Sequence, residues 1–177
     1  MSFALNNSIS HSILALHPDT DPSQRPSIRA LTSDHQSELE NLLVALDRDS
    51  RCSRFGYAAS DAAMAAHSRT ALQAASSTLG IFLNEKLAGA AEIYRCDDTG
   101  AYEVSLVVDR PLRKRGFGWN LLSSATAWAR DADADSVRLV FSRHNWPMRR
   151  LAARACAKLD LSLDELNAEI RLRPQIF

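Results

Sequence analysis

The sequence predicts one α/β (α+β) domain with a mixed central β-sheet. Three observations carry this reading. Leu39, Leu42, Leu43 and Leu46 recur at helical spacing. The period then changes: TLGIFL and LAGAAEIY, on either side of a turn at Asn84–Lys86, read as a β-hairpin. Beyond it helices and strands alternate, as a mixed sheet with crossovers requires. At 177 residues the chain has the length of one ordinary domain and can bury a core without disulfides or metal.

The elements follow in order. Residues 1–26 read as an N-terminal extension, with DTDPSQRP as a turn-rich connector and Ile13–Leu16 as a short apolar patch suited to docking. The domain spans 27–177. SIRAL is a strand, and Ser33 with Gln36 forms a capping box for the helix carrying the four leucines. The polar segment DRDSRCSRFGYAAS connects it to an alanine-rich helix capped by Ser60 and ending about Ala75. After the hairpin comes the turn CDDTG, then the strand YEVSLVVD, a basic glycine loop and an apolar helix with Leu121, Leu122, Ala125 and Trp128. VRLVF is a strand, and Pro147 marks the first turn of a helix running to about Ala157. LDLSL and AEIRLR close the chain as two short strands. The order is β-α-α-β-β-β-α-β-α-β-β.

Composition narrows the function. Net charge is zero, so the surface as a whole is no polyanion binder, and any basic function is local. Three cysteines, an odd and sparse set, argue against a disulfide framework and fit a reducing compartment. No apolar run approaches the roughly 20 residues of a membrane span. The N-terminus lacks the basic and long apolar regions of a secretory signal, so a cytoplasmic location is expected, with neither membrane nor nucleic acid as partner.

The local basic feature is RPLRKRGFGWN, residues 110–120. Arg110, Arg113, Lys114 and Arg115 precede two glycines, Gly116 and Gly118, and a helix follows at once. A helix N-terminus exposes unpaired N–H groups and about half a positive charge, so it attracts anions. Glycine permits positive φ and close approach of the backbone to a ligand. A phosphate or pyrophosphate suits this loop, and the bland alternative is a solvated basic turn. Neither the Walker A pattern nor the GxGxxG fingerprint is present.

Arg113-Lys114-Arg115-Gly116-Phe117-Gly118 resembles the R/Q-x-x-G-x-G/A signature of the GNAT superfamily of N-acetyltransferases. Asn145, opening NWPMRRLAARACAKL, is similar to that family's N-x-x-A-x-x-L pattern, with Met148 in place of Ala and Leu151 kept. The likeness covers about residues 27–173 and leaves the extension outside. It implies a sheet of about six to seven strands flanked by about four helices, and acetyl-CoA as co-substrate with no metal. Backbone amides of Arg115, Gly116, Phe117 and Gly118 would face the pyrophosphate, with Arg113 and Lys114 nearby. Leu106, Val107 and Val108 would lie along the pantetheine arm like an added strand, and Asn145 would hydrogen-bond that arm. Arg149, Arg150 or Arg154 would reach the 3′-phosphate; a solvated helix face explains them equally well.

Acyl transfer to an amine needs a base, oxyanion donors and a departing thiolate. Glu103, Ser105 and Val107 share one face of the strand before the loop. A carboxylate in an apolar strand is costly unless paired or functional, and burial suits a carboxylate to act as a base. The resemblance puts a general base at Glu103 and an oxyanion-binding amide near Leu106 or Val107; a strand glutamate paired with an arginine or exposed at an edge is the structural alternative. One departure stands out: the family's thiolate-protonating Tyr is Ala152 here. Ser142, His144, Cys156 or water are the remaining candidates. The same departure supports an alternative function, a non-catalytic acyl-CoA-binding regulatory module.

Other features carry less. Asp131, Asp133 and Asp135 begin like a calcium loop, but Ser136 and Ser142 replace its Gly and Glu. Cys156 reads as a buried structural thiol, and no histidine has metal spacing with a cysteine. The resemblance makes Arg51, Arg54, Phe55 and Tyr57 candidates for the acceptor wall or for plain packing. The acceptor is a small amine or a protein lysine, and exposed strand edges admit a homodimer.

Overall fold

The computed structural model describes residues 26–96, 99–162 and 164–173. The 1–25 portion of the extension, with its Ile13–Leu16 patch, lies outside the described residues, as do residues 174–177 of the domain. Seven strands form a single sheet: β1 (Ser27–Ala30), β2 (Ser77–Leu83), β3 (Lys86–Arg95), β4 (Ala101–Val108), β5 (Ser136–Ser142), β6 (Lys158–Ser162) and β7 (Glu165–Arg171). Their spatial order is β1-β2-β3-β4-β5-β7-β6. All pairs are antiparallel except β4–β5, which α4 (Phe117–Asp131) joins as a crossover. The mixed sheet and the alternation of elements agree with the sequence.

Four further helices complete the fold: α1 (Gln36–Val44), α2 (Arg48–Phe55), α3 (Asp61–Ala74) and α5 (Trp146–Arg154). α1 and α3 cover one face, where Leu39, Leu43, Met64 and Ala71 pack on Phe82, Ala90 and Val107. α4 and α5 cover the other, where Leu121, Leu122, Ala125 and Ala152 pack on Ile81, Ile93, Val104, Val137 and Leu139. Leu39 and Leu43 are fully buried. Each contributes about 2 kcal/mol of transfer free energy, so packing rather than propensity holds the nine-residue α1.

Local signals explain the hairpin. Asn84 (φ 51°) and Glu85 (φ 59°) are both left-handed, the two-residue turn whose twist matches antiparallel strands. Three expectations need correction. The polar segment after α1 contains α2: Asp47 caps it by accepting from the Ser50 amide (2.8 Å), and Gly56 (φ 79°) ends it. Its polar residues carry no apolar stripe, so periodicity had nothing to register. The capping box sits at Thr32 rather than Ser33, ahead of a 3-10 turn (Ser33–His35) that leads into α1, with His35 Nδ1 accepting from the Thr32 amide at 3.1 Å. And α5 ends at Arg154, because Cys156 turns left-handed (φ 53°).

Candidate active site

The parallel ladder between β4 and β5 is short. It pairs Ala101 with Ser136, Tyr102 with Val137 and Glu103 with Arg138, then stops, although both strands continue. Their far halves diverge and leave a gap in the sheet. On the other side of β4, the Asp109 amide donates to the Ala88 carbonyl and the Cys96 amide to the Ala101 carbonyl. Odd-numbered β4 residues therefore pair with β3, and even-numbered ones turn their polar groups toward β5. The amides of Leu106 and Val108 thus face the gap. Val107, grouped with them from the sequence, turns its amide to β3 and its side chain into the core under α1 and α3.

At the wide end of the gap stands the glycine loop. Gly116 is the N-cap of α4 at φ 88°, and no heavy atom lies within 4 Å of a Cβ placed there, so conformation rather than space demands glycine. Lys114 is also left-handed (φ 62°), a strained state for a residue with a side chain. No side chain caps α4, its first turn holds no acid, and the first intrahelical bond runs from the Asn120 amide to Gly116. The amides of Phe117, Gly118 and Trp119 are left pointing outward, a ready anion site. Gly118 faces Leu151 of α5: an added Cβ would meet Leu151 Cδ1 at 3.4 Å.

The four cations divide. Lys114 and Arg115 are exposed, and among the described residues no carboxylate pairs with either. Arg113 bends back: Nε donates to the Val108 carbonyl (3.0 Å) and Nη2 to Ser50 Oγ (2.8 Å). Arg110 pairs with Asp47 at 2.9 Å. The Ser50 hydroxyl and amide hold the Asp47 carboxyl below its ordinary range; slight desolvation opposes this, and Arg110 and Arg113 add to it. Arg113 and Arg110 are struts that tie the loop to the start of α2.

Glu103 is half-buried at the point where the gap opens, beside exposed Arg138 on β5 and directly opposite Tyr94 on β3. Ser105 lies on the same face, toward α2 and α3. Sequence reading missed the most buried charge there, Glu92. It is 1% exposed and accepts from Arg54 (2.6 Å), Tyr94 (3.0 Å) and His67 (3.0 Å). Desolvation is the largest influence on Glu92 and raises its pKa. The His67 hydrogen bond, the charges of Arg54 and His67, and the Tyr94 hydrogen bond outweigh it, so the pKa ends below 4.5. Every approach to this carboxylate is occupied, which makes it a fixed anion rather than a base. Its signal was in the sequence: a lone carboxylate among the apolar residues of LAGAAEIY.

The remaining candidates separate. Arg54 and Phe55 pack at this site, with Phe55 edge-on to His67 (5.0 Å between centroids). Arg51 instead braces the helices, donating to the carbonyls of Val44, Leu46 and Ala59 and to Asp61. Tyr57 is exposed. Asn145 is the N-cap of α5: Oδ1 accepts from the Met148 amide (3.1 Å), and among the described residues its NH2 group has no acceptor. Ala152 is fully buried in the core. Cys156 is exposed just past α5, not the buried thiol expected from its small neighbours. His144 and Ser142 lean on each other through the His144 amide (3.3 Å). Arg149 stacks on Trp146 and Arg154 on Trp119 (4.5 and 4.0 Å to the ring centroids). Among the described residues no cluster of His, Cys, Asp or Glu could hold a metal ion, and no helix is long and apolar enough to cross a membrane.

The fold is shared with solved structures. The GNAT domain of PAT from S. lividans superposes with a TM-score of 0.72 at 18% identity, covering 82% of this chain and 89% of that one. PaiA N-acetyltransferase from Thermoplasma acidophilum, in complex with coenzyme A, gives 0.66 at 16% identity, covering 84% and 99%. YncA from Salmonella typhimurium, a putative acetyltransferase solved with its cofactor acetyl-CoA, gives 0.66 at 14% identity, covering 86% and 97%. No curated protein matches the sequence. The model of the acetyltransferase (GNAT) family matches residues 39–157, a span running from α1 through the diverging strands and the glycine loop to the end of α5, and the chain belongs to that family.

Proposed function

We propose that this protein transfers the acetyl group of acetyl-CoA to a primary amine, with Glu103 as general base. One observation carries the reading: the β4–β5 ladder ends at Glu103, and the gap beyond it runs to the uncapped N-terminus of α4. Acetyl-CoA supplies the thioester at that gap, and the coenzyme bound to the PaiA and YncA structures supports this co-substrate. The amides of Arg115 to Gly118 and the side chains of Lys114 and Arg115 take the pyrophosphate. The Leu106 and Val108 amides and the Asn145 NH2 group hydrogen-bond the pantetheine arm, and the Leu106 amide also serves the developing oxyanion. Glu103, beside the open face of β5, takes the proton of the incoming amine directly or through a water.

A thiol-release assay over small amines and lysine peptides tests this. Glu103→Gln lowers kcat at neutral pH by roughly 10²; full activity at every pH would overturn the base assignment. The burial of Ala152 favours a second reading, an acyl-CoA-binding module without turnover, since that position offers no acid to the leaving thiolate. Calorimetric CoA binding with no turnover on any amine would select it.

A further inference from the structure

Tyr94 and Glu103 are a directly opposed cross-strand pair, so their side chains rise together from one face of the sheet. The Tyr94 hydroxyl leans along β3 to Glu92, two residues earlier, donating to Oε2 at 3.0 Å. Because β3 and β4 are antiparallel, that lean runs from the level of Glu103 to the level of Ser105, which pairs with Glu92. The phenolic oxygen therefore lies between the levels of Glu103 and Ser105, on the face of the sheet from which Glu103 rises and one strand from the gap.

The direction of its hydrogen bond is fixed. Glu92 is held ionised by Arg54, His67 and Tyr94, and an ionised carboxylate only accepts. Burial first, then the Glu92 carboxylate, pushes the Tyr94 pKa upward, so the phenol keeps its proton. With that proton committed to Glu92, the oxygen presents only lone pairs to the half-open side. Arg54 in turn is held over Phe55 (4.8 Å), and Phe55 against His67. The whole cluster sets the orientation of one hydroxyl.

We infer that Tyr94 is a hydrogen-bond acceptor for the attacking amine, that Glu92 is its positioning residue, and that the pair selects primary over secondary amines. This rests on the function proposed above and names its substrate class. In the transfer the nitrogen lone pair forms the new N–C bond, the C–S bond breaks with sulfur leaving as thiolate, and one amine proton goes to Glu103. A primary amine carries one N–H more than its N-methyl counterpart in the same protonation state. That extra N–H is the one Tyr94 receives; a secondary amine leaves the oxygen unpaired.

Benzylamine and Nα-acetyl-lysine amide, each with its N-methyl counterpart, are the probes. In Tyr94→Phe, kcat/KM falls roughly tenfold for the primary amines and not for the secondary ones, while the Kd for CoA is unchanged. Glu92→Gln lowers the primary-to-secondary ratio too, because an amide NH2 group can donate to the phenol and occupy its lone pair. The ratio is measured on one enzyme sample, so a partly unfolded variant does not distort it. Equal losses for both amine classes, or no loss, would overturn the inference while leaving acetyl transfer intact. A wild-type protein that binds CoA and acetylates none of the amines would overturn the proposed function and this inference with it.

Discussion

Arg54 of α2 donates through Nη2 to Oε2 of Glu92 on β3 at 2.6 Å, and the two side chains are 15% and 1% exposed. A charge pair this enclosed holds the short polar helix α2 against the sheet, where no apolar stripe does so. Removing one partner leaves the other charge buried. Arg54→Ala is expected to destabilise the fold by about 3 kcal/mol, the low end for a broken buried pair, because His67 and Tyr94 still serve Glu92. Urea unfolding measures this, and a loss below about 1 kcal/mol would show that the pair contributes little.

The same carboxylate sets an acid limit. The folded pKa of Glu92 lies below its ordinary 4.5. Its ionised form therefore adds stability that is fully present above pH 4.5 and is lost as pH falls through the folded pKa. Glu92→Gln removes this dependence. The urea midpoint of the variant should change less than that of the wild type between about pH 5 and pH 3. Parallel curves would assign the acid limb to other carboxylates, Asp47 first among them.

The glycine loop separates conformation, charge and bracing. Gly116→Val forces a branched side chain to φ 88° and is expected to cost about 1–2 kcal/mol and to weaken CoA binding, with Gly116→Asn milder on both counts. Lys114→Ala and Arg115→Ala should leave stability within about 0.5 kcal/mol and weaken CoA binding most at low salt. Arg113→Ala behaves differently. It removes the bonds to Val108 and Ser50, so it lowers stability by about 1 kcal/mol and leaves the salt dependence of binding near that of the wild type. Calorimetric titrations with CoA at two salt concentrations, beside urea curves, check all five variants. Identical salt slopes for Arg113→Ala and Lys114→Ala would return Arg113 to the ligand.

Much of this was legible because local signals dominate it. The leucines of α1, the Asn84–Glu85 turn and the Gly116 cap each act within a few residues, and sequence alone suffices to find them. The divergence of β4 from β5 is written in neither strand. It arises where two strands far apart in sequence stop pairing, and no local signal records that. The Glu92 cluster was hidden for the same reason: Arg54, His67 and Tyr94 come from three elements, and no spacing links them. The arginines mislead in the opposite direction. Arg113, expected near the pyrophosphate, and Arg51, a candidate for the acceptor wall or for packing, both bond to backbone carbonyls in the structure, since a long cation reaches a nearby carbonyl as readily as a phosphate.

Asn145 carries two roles that one substitution can part. Its Oδ1 caps α5 by accepting from the Met148 amide at 3.1 Å, and its NH2 group is left for a ligand. Asn145→Ala loses both, so it should cost about 1 kcal/mol of stability as well as CoA affinity. Asn145→Asp keeps a capping oxygen at a helix N-terminus, where negative charge is welcome, and replaces the donor with a second acceptor. Its urea midpoint should stay close to that of the wild type while CoA binding weakens about as much as in the alanine variant. If the aspartate variant binds CoA as the wild type does, Asn145 is a helix cap alone, and the pantetheine arm is held by the amides of β4.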